Sequence, residues 1–250
     1  MFKNTIVLVT GAASGIGLEI ARQFVEEGAT VVGADINETN LKEAADRFGD
    51  RFIPKLCDVS KAGPIRDLCK YVEGEFERLD VLVNNAGAGR LQDPEEIEEQ
   101  DFYFNYDILL KGPVLLVKHL APLLRKSENP SVINIASIAA RINAAKHVMY
   151  ATAKAALEKF TQHLTKDLPG IRFNCILPGV IDTPILKNYG EENLPAIFEL
   201  IASRVPCGRV GTTADIANCV LFLCSDKATY INGASIVIDG GHMQAGDFGL

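Results

Sequence analysis

The sequence predicts an α/β fold: a doubly wound parallel sheet with helices on both faces. Two observations predict it. Short apolar runs alternate with stretches of helical periodicity through most of the chain, the order that produces strand–helix–strand units. The runs are nearly continuous in apolar residues rather than alternating apolar with polar, as strands covered on both faces require. Hydrophobic residues make up 48% of 250, ample for such a core, and no linker or low-complexity stretch divides the pattern. Residues 1–250 are therefore expected to form a single domain, with a substrate lid near 184–208.

The elements follow in order. Residues 5–9 read as a buried strand, and residues 16–27 as a helix with Ile16, Ile20 and Phe24 on its inner face and Gly28 to end it. A strand at 30–34, a short helix at 41–48 and a turn at Gly49-Asp50 come next. Strand 52–57, helix 65–76 and strand 81–83 continue the alternation. Two long helices are read near 97–110 and 113–124, before a strand at 132–135. Residues 150–168 form a strong helix pattern that Pro169-Gly170 stops. Strand 171–177, a helix near 214–224 and a last strand at 235–238 complete seven strands.

The bulk composition excludes several classes of function. There are 25 basic against 32 acidic residues, a net charge of −7, and no basic stripe, so nucleic acid is not an expected partner. The six cysteines contain no CxxC pair, and neither they nor the four histidines show metal-ligand spacing. The cysteines read as small buried hydrophobes in a reducing compartment. The run ahead of Thr10 is too short for a signal-peptide core. No apolar stretch reaches the roughly 18 residues that cross a bilayer. Asn37-Glu38-Thr39 has the form of a glycosylation site that a cytoplasmic chain never uses. The expectation is a soluble, cytoplasmic protein without a metal.

The loop after the first strand carries the first chemistry. Gly11, Ser14, Gly15, Ile16 and Gly17 stand between a strand and a helix. There glycines permit a tight turn and close approach of a pyrophosphate to the helix N-terminus. Asp35 ends the second strand, 18 residues after Gly17, where an acid accepts hydrogen bonds from the adenosine ribose hydroxyls. Its charge repels a 2′-phosphate, and neither Ser14 nor Ile36 brings a basic group to offset it. The expected cofactor is NAD.

Further motifs run in order through the rest of the chain: Asp58-Val59 after the third strand, Asn84-Asn85-Ala86-Gly87 after the fourth, then Ser137, Tyr150 and Lys154. Pro178-Gly179-Val180 with Thr183, Pro206-Cys207-Gly208-Arg209 and Asp239-Gly240-Gly241 follow. With the spacing Gly11-xxx-Gly15-x-Gly17, this set resembles the short-chain dehydrogenase/reductase family over nearly all 250 residues. The resemblance implies a Rossmann-type NAD-binding domain. It implies that Asp58 and Val59 meet the adenine, that Asn85, Ala86 and Gly87 border the cofactor, and that Pro178, Gly179, Val180 and Thr183 lie on the nicotinamide side. It also implies a homotetramer, and the apolar faces of residues 114–124 and 155–168 are candidates to pack across a two-fold axis.

The catalytic residues make chemical sense. Tyr150 and Lys154, four apart, share one helix face. A phenol with a pKa of about 10 is a poor base at neutral pH, and a nearby ammonium favours the phenolate. Ser137, just beyond the fifth strand, can donate to a substrate oxygen. The implied reaction is hydride transfer between nicotinamide and the carbinol or carbonyl carbon of an alcohol or ketone. Tyr150 moves the hydroxyl proton, and Lys154 also holds the nicotinamide ribose.

One position departs from the family pattern. Aligning Phe102 and Gly112 places Leu109 where the family carries an asparagine that orders a water linking the lysine to solvent. Asn105, one turn earlier, is out of register. Leucine cannot hydrogen-bond, which opens an alternative: a catalytically weak NAD(H)-binding scaffold or sensor of the same fold. A third reading, a sugar-nucleotide epimerase, is disfavoured by the short region after Pro178. On the substrate side, Asn143, Lys146, His147 and Met149 are candidates to line the pocket. Ile185, Leu186, Leu194, Ile197, Phe198 and Ile201 are candidates for a lid, and residues 242–250 for contact with a neighbouring subunit.

Overall fold

The structure, a computed structural model, describes residues 1–90, 92–143, 145–189 and 193–245. Its centre is a seven-stranded, wholly parallel sheet: β1 (Ile6–Thr10), β2 (Thr30–Asp35), β3 (Phe52–Leu56), β4 (Val81–Asn84), β5 (Ser131–Ile135), β6 (Arg172–Pro178) and β7 (Ser235–Ile238). The spatial order is β3-β2-β1-β4-β5-β6-β7. Val7 lies opposite Val31 on one side and Val81 on the other, so β1 is an interior strand. This is the doubly wound arrangement that the alternating elements predict.

Successive side chains point to opposite sides of the sheet, so the inner strands β1, β2, β4, β5 and β6 bury both faces, whereas the edge strand β3 leaves Pro54 and Leu56 exposed and the edge strand β7 is only partly buried. Val7, Val9, Val31 and Val83 join Ile20 and Phe24 of α1 (Gly15–Glu26), Leu41 of α2 (Glu38–Phe48) and Ile216 and Val220 of α8 (Thr213–Cys224) in one core. Their neighbours Leu8, Val32 and Leu82 face the other way. There they meet Ile65 and Val72 of α3 (Ala62–Glu75), Leu116 and Leu120 of α5 (Gly112–Leu124) and Leu164 of α6 (Val148–Asp167). Of the six cysteines, Cys57, Cys69 and Cys224 are buried in these cores and Cys175 in a smaller cluster with Ala136 and Leu177, whereas Cys219 is half-buried and Cys207, contrary to expectation, is exposed.

Local chemistry starts the helices. Asn37 caps α2 by accepting the Asn40 N–H, so the residue of the apparent glycosylation site has a structural task. Thr212 and Asp215 form a reciprocal capping box at α8.

The reading near 97–124 changes in the structure. In place of two separate helices, α4 (Glu99–Tyr106) runs without a break through a π-helical segment, Asp107–Lys111, into α5. The Gly112 N–H donates to the Asp107 carbonyl, five residues back, which marks the extra residue in the turn. Residues 194–204, read only as part of a lid, form a helix, α7 (Leu194–Arg204), with Pro195 in its first turn. None of its residues is fully buried.

Because β1 connects outward to β2 while β4 lies on its opposite side, the loops leaving the carboxyl ends of β1 and β4 part. The crevice between them is where open parallel sheets bind ligands.

Candidate active site

A cleft of about 820 Å³ opens over the carboxyl ends of the strands. Gly11, Ser14, Gly15, Ile16, Asp35, Asp58, Val59, Asn85, Ala86 and Gly87 line it from the β1–β4 side. Ser137, Tyr150, Lys154, Pro178, Gly179, Val180 and Thr183 line it from the β5–β6 side. Of the site residues read from sequence, Gly17 stands apart. It is buried beneath the loop rather than on the cleft wall.

Packing explains that glycine. A methyl group on Gly17 would fall 2.1 Å from the Gly11 carbonyl oxygen, so the loop closes on its own helix only without a side chain there. Gly11 itself holds φ +66°. The loop is tied to the next one: the Thr10 hydroxyl accepts the N–H groups of Asn85 and Ala86, at 3.0 and 3.1 Å. The Asn85 amide donates to the Thr10 and Gly11 carbonyls. The Asn84-to-Gly87 motif therefore acts as a brace between β1 and β4.

Ser14 caps α1 with backbone geometry alone, making no side-chain cap bond. The first-turn N–H groups lack intrahelical partners, as at any helix start, and are aimed into the cleft with the positive end of the helix dipole. Both oxygens of Asp35 are oriented by backbone: one accepts Ala13 N–H at 3.0 Å, the other Asn37 N–H at 2.9 Å. A carboxylate has about four acceptor positions, so each oxygen keeps capacity for a hydroxyl. Beside it the exposed Ile36 contributes apolar surface, and no lysine or arginine among the described residues lines this end. Asp58 is anchored through one oxygen by the Ser60 N–H and hydroxyl. These features fit a dinucleotide: a helix start without a side-chain cap for a diphosphate and a pre-oriented acid for a ribose.

At the other end, Ser137 follows β5 and opens a short 3₁₀ turn, Ile138–Ala140. Its oxygen accepts the Ala139 N–H at 3.1 Å, which leaves the hydroxyl proton to donate elsewhere. Arg141 pairs with the largely buried Glu158 of α6, pinning this turn to the helix that carries Tyr150 and Lys154. The Lys154 ammonium is buried, lies 5.7 Å from the Tyr150 ring centroid, and donates to the Ile135 carbonyl at 2.6 Å. Burial pulls its pKa down to about 8, because a charge removed from water is disfavoured. Below, Asn84 donates to Asn134, and Asn134 to Thr161, a buried chain joining β4, β5 and α6.

Leu109 sits in the π-helical segment at 1% exposure. A methyl group built on Gly87 would meet a Leu109 methyl at 3.3 Å and the Lys154 nitrogen at 3.6 Å, so the leucine lies at the lysine's edge of the site. Asn105 is fully buried, with its amide donating to the Asp101 carbonyl of its own helix. Its Oδ1 has no partner among the described residues.

Of the four residues ahead of Tyr150 read as pocket candidates, only His147 lines the cleft. Its ring stands edge-on to Tyr150, centroids 6.3 Å apart. Lys146 pairs instead with Asp93 at 2.8 Å. Pro184, Ile185 and Leu186 close the cleft from the lid side. Residues 190–192 of the lid and 246–250 of the tail lie outside the described residues. The sequence reading missed Arg90, which lines the reaction end of the cleft. Its one local signal is its place on the loop that leaves a strand at the point where the strand order reverses.

A family model described as enoyl-(acyl carrier protein) reductase matches residues 11–243. The 3-oxoacyl-[acyl-carrier-protein] reductase of Thermotoga maritima is 34% identical over 244 residues, covering 96% of this chain and 98% of its own length. A short-chain dehydrogenase/reductase of Brucella melitensis, described as a glucose/ribitol dehydrogenase, superposes with a TM-score of 0.90 at 30% identity, over 96% of this chain and 97% of that one. L-sorbose reductase from Gluconobacter frateurii, solved with NADPH and L-sorbose, superposes equally well (TM-score 0.90, 30% identity, 97% and 98% of the two chains).

Proposed function

The chain belongs to the short-chain dehydrogenase/reductase family, and on that premise we propose that it is an NAD-dependent oxidoreductase acting between a secondary alcohol and the corresponding ketone. The observation that carries this reading is the meeting of Ser137, Tyr150 and Lys154 on one wall of a cleft whose far end presents Asp35.

The first turn of α1 and the loop Gly11–Gly17 would hold the diphosphate, Asp35 the adenosine ribose, and Asp58 and Val59 the adenine. Asn85, Ala86, Gly87 and the Pro178-to-Thr183 loop would border the remainder. When bound, the nicotinamide ring supplies or accepts the hydride. The protein's own residues handle the oxygen and its proton. Ser137 donates its hydroxyl hydrogen to the substrate oxygen and fixes its position. Tyr150 gives its proton to that oxygen in reduction and removes it in oxidation. Lys154, a cation in a dry environment beside the phenol, favours the phenolate and so brings Tyr150 toward operating pH.

NAD rather than NADP is supported by the pre-oriented Asp35 and the absence of a cation at that end among the described residues. No helix of the described residues is long and apolar enough to cross a membrane. A homotetramer is the proposed assembly, and the exposed Phe102 and Tyr103 of α4 are surface that a subunit contact would cover.

The test is Tyr150→Phe. NADH binding, followed by fluorescence titration, should stay near wild type while turnover falls below about a tenth, a loss above 1.4 kcal/mol in the barrier. A variant that keeps more activity than that removes Tyr150 from the acid's role. The second reading, an NAD(H)-binding scaffold or sensor, is favoured by Leu109 alone. NADH oxidation against a broad ketone panel separates the two, because a sensor binds NADH and reduces nothing.

A further inference from the structure

We propose that the substrate is a carbonyl compound, or its alcohol, bearing a carboxylate, and that Arg90 binds that carboxylate. For the reacting carbon this rests on the oxidoreductase reading; for the anion site it stands on its own geometry.

Arg90 lines the same cleft as Ser137 and Tyr150. The residue before it sets its position. A methyl group on Gly89 would fall 3.0 Å from a ring carbon of Tyr150, so the backbone passes directly against the phenol and delivers the next side chain to the reaction end. Two contacts hold the segment there. Gln92 N–H donates to the Lys146 carbonyl at 2.9 Å, and Lys146 pairs with Asp93 at 2.8 Å, tying the loop after β4 to the loop that enters α6.

The arginine head is oriented and unneutralised. Its guanidinium carbon lies over the Phe104 ring, 4.0 Å from the centroid. Stacking covers a face of the guanidinium but leaves the N–H donors of its edge, the geometry that takes a carboxylate with two parallel hydrogen bonds. Among the described residues no carboxylate lies within ion-pair distance of Arg90, and Asp93, three residues on, is already matched by Lys146. The charges on the cleft wall are separated. Asp35 and Asp58 stand at the adenosine end, whereas Arg90 and Lys154 stand at the reaction end. Lys154 is bonded to the Ile135 carbonyl and has its place in the chemistry, which leaves Arg90, among the described residues that line the cleft, as the cation for a substrate anion.

The experiment uses keto acids with one, two or three bonds between the carbonyl and carboxyl carbons (pyruvate, acetoacetate, levulinate) and their methyl esters, each as substrate with NADH. For at least one pair, kcat/KM should favour the acid. Arg90→Gln should lower that acid-to-ester ratio by roughly 10- to 100-fold, chiefly through KM, as loss of a charge-assisted pair predicts. Arg90→Lys should fall between, keeping the charge but not the paired donors. In parallel, the same acids are titrated into the enzyme–NADH complex and followed by NADH fluorescence. Acids that bind wild type better than Arg90→Gln, with no carbonyl reduced, would support the anion site while defeating the oxidoreductase reading. Acids and esters used equally, a ratio unmoved by Arg90→Gln, or no binding of any acid would overturn the inference. The first two of these would leave the oxidoreductase reading intact.

Discussion

Replacing Asp35 with asparagine tests the cofactor assignment directly, because it removes one charge and almost no volume. In the wild type, both carboxylate oxygens are held toward the cleft by the N–H groups of Ala13 and Asn37, so the acid cannot swing away from a cofactor phosphate without losing two hydrogen bonds. A phosphate on the hydroxyl that this acid would otherwise accept carries nearly two negative charges at roughly 5 Å. At an effective dielectric of about 40 to 80, that repulsion is roughly 2 to 3 kcal/mol, and no cation among the described residues at this end offsets it. The expected wild-type preference for NAD over NADP is therefore about a hundredfold in kcat/KM. Asparagine keeps a single acceptor oxygen, so NAD binding should also weaken somewhat, while the NAD-to-NADP ratio falls below about 10. Steady-state kcat/KM with each cofactor gives the ratio, and fluorescence titration with NADH and NADPH gives the binding share. Equal efficiencies in the wild type, a preference for NADP, or a ratio that Asp35→Asn leaves unchanged would refute the reasoning.

Two further predictions concern the catalytic lysine and its surroundings. Leu109→Asn places an amide at a site of 1% exposure beside Lys154, so it should cost about 2 to 4 kcal/mol in denaturant unfolding while changing kcat by less than about tenfold. A wild type that binds NADH yet reduces no carbonyl, and that gains activity with this asparagine, would instead establish the sensor reading. Lys154 carries a pKa lowered by burial to about 8, against 10.5 ordinarily, so between those values the unfolded chain holds a proton that the folded chain has released. By linkage, its contribution to stability is least below about pH 8 and grows as pH rises toward 10.5, by up to about 3 kcal/mol. Urea unfolding of wild type and Lys154→Met across that window should show the wild type gaining on the variant with rising pH; a constant difference would contradict the buried ammonium.

The sheet, the order of its elements and nearly all of the residues that line the candidate cleft were legible in the sequence. Those features rest on local signals: strand-length apolar runs, the spacing of Gly11, Gly15 and Gly17, an acid at a strand end, and Tyr150 and Lys154 one helical turn apart. Strand and helix ends shifted by one to three residues because caps such as Asn37 and Thr212 set them, and capping depends on side-chain hydrogen bonds that periodicity does not register. Tertiary structure alone decided the rest. The sequence suggests a break at residues 111–112, where Gly112-Pro113 resembles the start of a new helix, whereas the structure accommodates them by one inserted residue in a π-helical turn, Asp107–Lys111, that carries the helix through. α7 was hidden because it buries no residue completely, so its apolar positions carry no sharp inner face. For Gly17, expected from its spacing at the cofactor loop, only the fold shows that it is buried and which atom a side chain there would strike. Arg90 offers only its place on the loop after β4: an arginine on a loop is ordinarily solvated, and its place over Phe104, in the cleft that Tyr150 also lines, exists only once β4, α4 and α6 converge. Local chemistry is written in short stretches of chain, whereas the partner of a loop side chain is set by elements distant in sequence.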